Sequence, residues 1–238
     1  MNISPDNIVI VQIGAFQINA TLLFTWVVMV FLTLASYLLT RRFTDDVHIS
    51  RWQSLLELLI TGLRSQIRDV SQQEPGPFLP FIGTLFVFIL TANLLNIIPG
   101  FQSPTASLST TTALAICVFV AVPVFGIAER GLLNYLKQYT KPTIFMLPFN
   151  ILGELSRTLA LAVRLYGNMM SGSVIAAILL GFIPLFFPII MQLFGLITGT
   201  IQAYIFSVLA MVYIASATAA HQQLASKLDG VHSKGDKQ

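Results

Sequence analysis

Three polar side chains stand in long apolar stretches in the second half of the chain, and one of them carries a fixed charge. Arg164 and Asn168 lie four residues apart in LALAVRLYGNMMSG (residues 159–172), and Gln202 lies in GTIQAYIFSVLAMVYI (residues 199–214). On a helix, side chains at this spacing share a face. Because a guanidinium stays protonated at any physiological pH, Arg164 can act only as a fixed charge that attracts an anion, never as a proton carrier.

The anion that Arg164 needs is absent from its own helix. Glu154 is ten residues away, which on a helix is a rise of roughly 15 Å, and Arg157 is a better match for this carboxylate. An arginine at membrane depth costs about 2.5–3.5 kcal/mol on insertion scales unless it is paired or hydrated. An uncompensated buried charge is strongly destabilising. We therefore expect another subunit to supply the carboxylate.

Small residues accompany these polar positions on both predicted helices. Ala160 lies one turn before Arg164, and the second helix carries Gly195, Gly199 and Ala203 at four-residue spacing. Rows of small residues let another helix backbone approach closely. They are compatible with packing of the two helices on each other and with the approach of a partner subunit to Arg164.

The composition places these residues in a membrane protein. Of the 238 residues, 55% are hydrophobic and only 10% are charged, far below the roughly 25% of soluble domains. Residues 75–128 contain no Asp, Glu, Lys or Arg, and between Leu155 and Ser226 the only such residues are Arg157 and Arg164. Each stretch is long enough for more than one crossing of about 20 residues.

The basic residues lie just beyond apolar runs, so the basic charge balance does not indicate a nucleic-acid partner. The positive-inside rule assigns these ends to the cytoplasm. The N-terminal residues 1–17 are then outside and the C-terminus is cytoplasmic. A signal peptide is not predicted, because a basic first region and a cleavage site are both missing. The basic residues concerned are Arg41, Arg42, Arg130, Lys137, Lys141, Lys227, Lys234 and Lys237.

The hydrophobic pattern predicts an all-α, polytopic protein that forms a single membrane domain over residues 1–238. Five helices cross the membrane, and one amphipathic helix with too many charges to cross lies in the cytoplasmic interface. The last two crossings form a hairpin that is broken near GFIPLFFP. The predicted bounds are 18–40 for the first crossing, 48–72 for the interfacial helix, 77–98 and 107–128 for the next crossings, 144–182 and 188–222 for the hairpin arms, and 223–238 for a polar cytoplasmic tail.

The length of the hairpin arms has a geometric consequence. The second arm would be roughly 50 Å long, against a hydrocarbon core of about 30 Å, so we expect both arms to be strongly tilted. The chain has no G-x-x-x-x-G-K-[ST] phosphate loop, and we expect it to hydrolyse no nucleotide itself. Its single cysteine, Cys117, provides neither a disulfide framework nor a metal pair, and we expect no cofactor and no bound metal.

The two quoted stretches resemble subunit a of the F-type rotary ATP synthases. The match runs over residues 75–222 and includes FVFILTANLLNIIPGF and SPTASLSTTTALAI in the earlier crossings. Its most specific part is the string Arg-Leu-Tyr-Gly-Asn, followed at the right distance by Gln-Ala-Tyr-Ile-Phe. The resemblance implies a non-catalytic stator subunit of the Fo sector, which couples transmembrane ion flow to rotation of a c-ring and to ATP synthesis or hydrolysis.

The resemblance also implies a role for each matching residue. Arg164 would meet the membrane carboxylates of the c-ring one at a time and separate two offset aqueous half-channels, with Asn168 and Gln202 lining this contact. Glu154 and Arg157 match a polar pair near the cytoplasmic access of the path. Peripheral-stalk b subunits, the rest of the F1Fo complex and the lipid bilayer are the other implied partners. Polar or small residues expected to line the path are Asn93, Asn96, Ser107, Ser171, Ser173, Gly195 and Thr198.

Four positions depart from the common pattern of this family, where titratable groups are frequent. This chain has Ser173 and Gly195 on the two arms, and Asn96 and Ser107 in the earlier part. Protons can travel along water and hydroxyl chains, but hydroxyl and amide oxygens are also hard ligands suited to Na⁺. The pattern is similar to that of the sodium-type bacterial subgroup, and both H⁺ and Na⁺ stay open as the transported ion.

Two other functions are compatible with a polytopic membrane chain. A secondary ion transporter would show inverted repeats and broken helices around a midplane site, and no such repeat is visible. A purely structural membrane anchor would have no use for Arg164, Asn168 and Gln202 at membrane depth. Because no targeting segment is apparent, we expect a multi-pass protein of the bacterial inner membrane.

Overall fold

The computed structural model describes residues 9–13, 16–41, 51–71, 74–98, 101–131, 146–182 and 187–235. The basic residues Arg42, Lys137, Lys141 and Lys237 lie outside these described residues, as do residues 183–186 of the predicted break in the hairpin. Within the described residues the chain forms six α-helices. The helices are α1 (Ala20–Thr40), α2 (Arg51–Ser71), α3 (Leu79–Leu94), α4 (Leu108–Arg130), α5 (Met146–Phe182) and α6 (Phe187–Gly235).

The all-α polytopic fold is confirmed. Among the described residues, five helices are long and apolar enough to cross a membrane. They are α1, α3, α4, α5 and α6, which are the five predicted crossings. The remaining helix, α2, begins and ends within the segment predicted to be the amphipathic helix. Short 3-10 turns at Leu95–Ile97 and Pro104–Ala106 lie between α3 and α4.

The N-terminal segment contains two short strands that the sequence analysis missed. Strand β1 (Val9–Ile13) pairs antiparallel with β2 (Phe16–Asn19), and Ile13 lies opposite Phe16. The signal was present in the sequence, because β-branched residues cluster in VIVQI and a glycine follows directly. The first crossing therefore begins at Ala20, after the hairpin, rather than at residue 18.

The last helix is longer than predicted. Helix α6 continues to Gly235 and includes most of the segment 223–238 that was predicted to be a polar tail. The extension is consistent with helix propensity, because Ala, Gln, Leu and Lys dominate residues 219–228 and are good helix formers. Its 49 residues correspond to a length of about 73 Å.

Helix α6 lies at the centre of the packing and contacts α2, α3, α4 and α5. Its residues Phe206 and Ile214 are fully buried and join Ile89 of α3, Val118 of α4 and Leu165 of α5 in one hydrophobic core. Helix α1 is peripheral, with only 11% of its apolar window buried. The core therefore holds the two hairpin arms against α3 and α4.

Helix α2 packs one side against α6, as an amphipathic helix should. Ile67 is buried in the core that also contains Met211 of α6, whereas Arg64 and Arg68 are exposed. The alternation of apolar and charged residues along α2 thus matches a helix that covers the bundle on one side and presents charges on the other.

Candidate functional site

Arg164 lies on an exposed face of α5. The flanking residues Leu161 and Leu165 are buried, whereas Ala160, Arg164 and Gly167 are exposed. Among the described residues, the guanidinium has no carboxylate and no hydrogen-bond partner. The charge of Arg164 therefore faces outward from the bundle.

The two arms run antiparallel and are joined by a hydrogen bond next to Arg164. The side-chain amide of Asn168 donates to the carbonyl oxygen of Thr198 at 3.4 Å. Further along, the Arg157 guanidinium lies 5.9 Å from the centre of the Tyr213 ring. Because a lower residue number on α5 pairs with a higher one on α6, the helix directions are opposite.

Gln202 lies at the same level of the hairpin as Arg164. It follows Thr198 by one turn, as Arg164 precedes Asn168 by one turn, and the antiparallel arms place both residues on the same side of the Asn168–Thr198 bond. Gln202 is only 5% exposed, and its buried amide nitrogen has no hydrogen-bond partner in the part of the chain that the structure describes. A buried amide donor without an acceptor costs about 1–3 kcal/mol, so this position is unfavourable for the isolated chain.

On the other side of that bond, between the end of α5 and the start of α6, lies a cavity of about 180 Å³. This volume accommodates several water molecules. Among the described residues, the lining contains hydroxyl, amide and thioether groups and no titratable side chain. It is formed by Asn96, Asn168, Met169, Ser171, Gly172, Ser173, Ile175, Ala176, Met191, Gln192, Phe194, Gly195 and Thr198.

The hydroxyl groups of the cavity wall donate to their own helices. Ser171 donates to the carbonyl of Asn168 at 3.1 Å, and Ser173 donates to that of Met170 at 2.9 Å. Thr198 donates to the carbonyl of Phe194 at 3.1 Å. A hydroxyl has one proton and two lone pairs. These three side chains therefore present oxygen acceptors to the cavity, while their protons are engaged by the backbone.

The predicted path-lining residues fall into two groups. The structure brings Asn96, Ser171, Ser173, Gly195 and Thr198 together at the cavity. It does not place Asn93 or Ser107 on the cavity wall, because Asn93 is buried against Thr105 and Ser107 is buried next to Ser109 at the start of α4. Gln192 was missed, although its signal was available as a polar residue within an apolar run, three positions before Gly195.

Glu154 and Arg157 lie at the far end of the hairpin from this cavity. They line a small pocket of about 20 Å³ together with Thr158, Tyr213 and Ser216, and with apolar residues of α4. Such a volume accommodates about one water molecule. The pocket has a charged and hydroxyl-bearing lining, but among the described residues no group of three or more His, Cys, Asp or Glu could hold a metal ion.

The chain is similar over nearly its whole length to known proteins that share one description. A family model described as ATP synthase A chain matches residues 22–215. The chain is 57% identical over 226 residues to "ATP synthase subunit a 1" of Chlorobaculum parvum, covering 95% of this chain and 100% of that protein. It is 55% identical over 223 residues to "ATP synthase subunit a 2" of a Picosynechococcus strain, covering 94% and 96%. Its identity to "ATP synthase subunit a" of Albidiferax ferrireducens is 56% over 218 residues, covering 92% and 94%.

Proposed function

Since the chain belongs to the ATP synthase A chain family, we propose that it acts as the ion-conducting stator subunit of the Fo sector, with Arg164 facing the carboxylates of a rotating c-ring. The proposal rests on one observation. Arg164 is exposed on an apolar helix, and no carboxylate among the described residues pairs with it. The chain carries no phosphate-binding loop, so nucleotide chemistry belongs to other subunits of the complex.

The contribution of Arg164 is electrostatic. When a ring carboxylate comes next to the guanidinium, the ionised form of the carboxylate is favoured, and it releases its ion. When rotation removes the carboxylate from Arg164, the apolar surroundings penalise the bare charge and the group takes up an ion again. Because the guanidinium itself does not titrate, no ion passes through Arg164 from one side to the other.

The two pockets of the hairpin supply the two access routes in this proposal. The cavity between Ser173 and Gly195 lies at the turn between the arms, and the pocket next to Glu154 lies near the opposite end. Arg164 is between them along α5. This arrangement supports an outer and a cytoplasmic access route that are offset, so that an ion crosses only by travelling with the ring.

We assign Na⁺ as the ion that this outer route favours. The Ser171, Ser173 and Thr198 hydroxyls already donate to helix carbonyls, so in this geometry they can accept but not relay a proton. Neutral oxygen atoms that only accept are suitable ligands for a hard cation and its hydration water. A proton would have to cross the same cavity through water alone.

The proposal also includes the orientation of the chain in the membrane and its partners other than the ring. Helix α1, which Arg41 follows, and helix α4, which ends at Arg130, are the first and third of the five crossings and therefore end on the same side. This supports a cytoplasmic C-terminus and an outer N-terminus in a bacterial inner membrane. Helix α1 is largely exposed, with Trp26 at 59% and Val30 at 66%. This peripheral helix is where we place the lipid and the peripheral-stalk b subunits.

Flux measurements in proteoliposomes test both the function and the ion. We expect liposomes with the complete Fo sector to take up ²²Na⁺ down its gradient and liposomes with this chain alone to show no flux, because the ion must ride on a ring carboxylate. A secondary transporter would produce flux without the ring. Proton flux without Na⁺ flux through the complete sector would contradict the sodium assignment and leave the stator function intact.

A further inference from the structure

A buried polar chain connects the end of α3 to the middle of α6. The amide nitrogen of Asn93 donates to the carbonyl oxygen of Gly199 at 2.8 Å, across 106 residues of sequence. The Thr105 hydroxyl donates to the Asn93 amide oxygen at 2.6 Å. Asn93 is 3% exposed, and Ser103, Thr105 and Gly199 are also buried. We name this set of four residues the Asn93 latch.

The hydrogen-bond directions within the Asn93 latch follow from counting protons. The Gly199 carbonyl can only accept, so Asn93 must present its NH₂ group to α6 and its oxygen to Thr105. Thr105 then uses its one proton on Asn93. The Ser103 hydroxyl lies 2.7 Å from the Thr105 oxygen and 3.0 Å from the Ala92 carbonyl, and it can donate to either. Every polar atom of Asn93 that needs a partner thus has one.

Among the glycines of the described residues, Gly199 has the closest surroundings. A Cβ atom added there would lie 3.0 Å from Asn93 Cβ, 3.1 Å from Met169 Cε and 3.2 Å from Asn93 Nδ2. Such distances are tighter than most real Cβ contacts, so an alanine there would require Asn93 or Met169 to shift by a few tenths of an ångström. Of the small residues Gly195 and Gly199, only Gly199 serves close packing, because nothing lies within 4 Å of a Cβ at Gly195.

We infer that Asn93 is a positioning residue, which fixes the height and rotation of α6 against α5 through the Gly199 carbonyl. Gly199 directly follows Thr198, whose carbonyl accepts from Asn168 of α5, and it precedes Gln202 by three residues. Two side-chain amides therefore hold consecutive carbonyls of α6 from two different helices. A shift of α6 at this point would move Gln202 relative to Arg164 and change the width of the outer cavity.

This inference rests on the proposed function, because the quantity that the latch would control is the transfer of ions next to Arg164. Misplacement of a reacting group by about 1 Å can cost on the order of a hundredfold in rate. By contrast, loss of a purely structural contact lowers the amount of assembled complex and leaves the transport of each assembled complex unchanged. The informative measurement is therefore the number of ions transported per ATP hydrolysed by the purified complex.

Asn93→Ala and Gly199→Ala test the latch. We expect both to lower the ratio of ATP-driven ion transport to ATP hydrolysis at least tenfold in purified complex. Thr84→Ala on α3 is the control for the first, since its hydroxyl bonds only within its own helix. Gly153→Ala on α5 is the control for the second, since nothing lies within 4 Å of a Cβ there. An unchanged ratio in both latch variants would overturn the inference.

A second pair of variants, at Thr105, tests the inference if the Asn93 and Gly199 variants do not assemble. Thr105→Val removes the proton donor to Asn93 with little change in shape, and Thr105→Ser retains it. We expect the ratio to fall severalfold in the valine variant and to be restored in the serine variant, whereas equal ratios in the two would contradict the latch. If the latch variants have the same ratio of transport to hydrolysis as the unmodified protein while Arg164→Ala abolishes transport, the inference about the latch is wrong and the proposed function stands.

Discussion

Replacement of Arg164 by alanine is expected to abolish ATP-driven ion transport while the subunit still inserts and assembles. The variant removes the exposed charge that is proposed to hold a ring carboxylate in its ionised form, and it leaves an apolar helix that is easier to insert. Fixed charges aimed at a reacting group contribute about a hundredfold to a thousandfold in rate. We therefore expect transport by inverted membrane vesicles to fall at least a hundredfold, measured as ²²Na⁺ uptake and as ΔpH formation.

The neighbouring Val163 provides a matched control. It is 52% exposed on the same helix, and Val163→Ala removes a comparable exposed side chain without changing charge. We expect this variant to retain transport. Unchanged transport in Arg164→Ala would refute the electrostatic role of the arginine, whereas absence of the Arg164→Ala subunit from the purified complex would favour a structural anchor.

Gln202→Leu is expected to lower ion transport without lowering the stability of the subunit. The buried amide nitrogen of Gln202 has no partner among the described residues, so a leucine of similar size removes a cost of about 1–3 kcal/mol from the isolated chain. We expect the thermal stability of the purified subunit to be equal or higher. The prediction requires that assembly with the ring exposes this amide to a ring carboxylate, and a hydrogen bond to a charged group contributes about 1.5–3 kcal/mol. Transport should therefore fall about tenfold or more.

The control for this variant is Gln66→Leu on α2. Gln66 lines a small pocket between α2 and α6, far along the chain from the polar residues of the hairpin, and we expect its replacement to leave transport unchanged. A Gln202→Leu subunit that is less stable and transports normally would show that the glutamine is a packing residue. That result would remove Gln202 from the contact with the ring.

Much of the fold was predictable because membrane crossings leave a strong signal in the sequence. The charge-free stretch of residues 75–128 indicated α3 and α4, and the alternation of charge and apolar residues indicated α2. Arg164 is conspicuous in the sequence for a related reason, since a charge in an apolar helix is costly. One turn further along α5, Asn168 lies at the contact between the arms, where it donates to the Thr198 carbonyl.

The details that depend on distant contacts were not predictable. The Asn93–Gly199 bond joins residues 106 positions apart, and no local pattern distinguishes Asn93 from Asn96, which lines the cavity one turn later. The sequence analysis therefore placed both on the ion path, whereas the structure buries Asn93 and leaves Asn96 at the cavity. The contact of Tyr213 with Arg157 was missed for the same reason, because the crossing geometry of two long arms decides it.

The central claim is that the carboxylate facing Arg164 belongs to the rotating ring. Disulfide cross-linking tests it most directly, with one cysteine at Ala160, which is exposed one turn from Arg164, and one next to the ring carboxylate. The Ala160→Cys change is made in a Cys117→Ser background, and the unmodified chain with its exposed Cys117 on α4 is the control. We expect Ala160→Cys to cross-link to one ring subunit at rest and to different ring subunits after ATP turnover, and Cys117 to cross-link to none. Cross-links from Cys117 but not from Ala160→Cys would contradict the account.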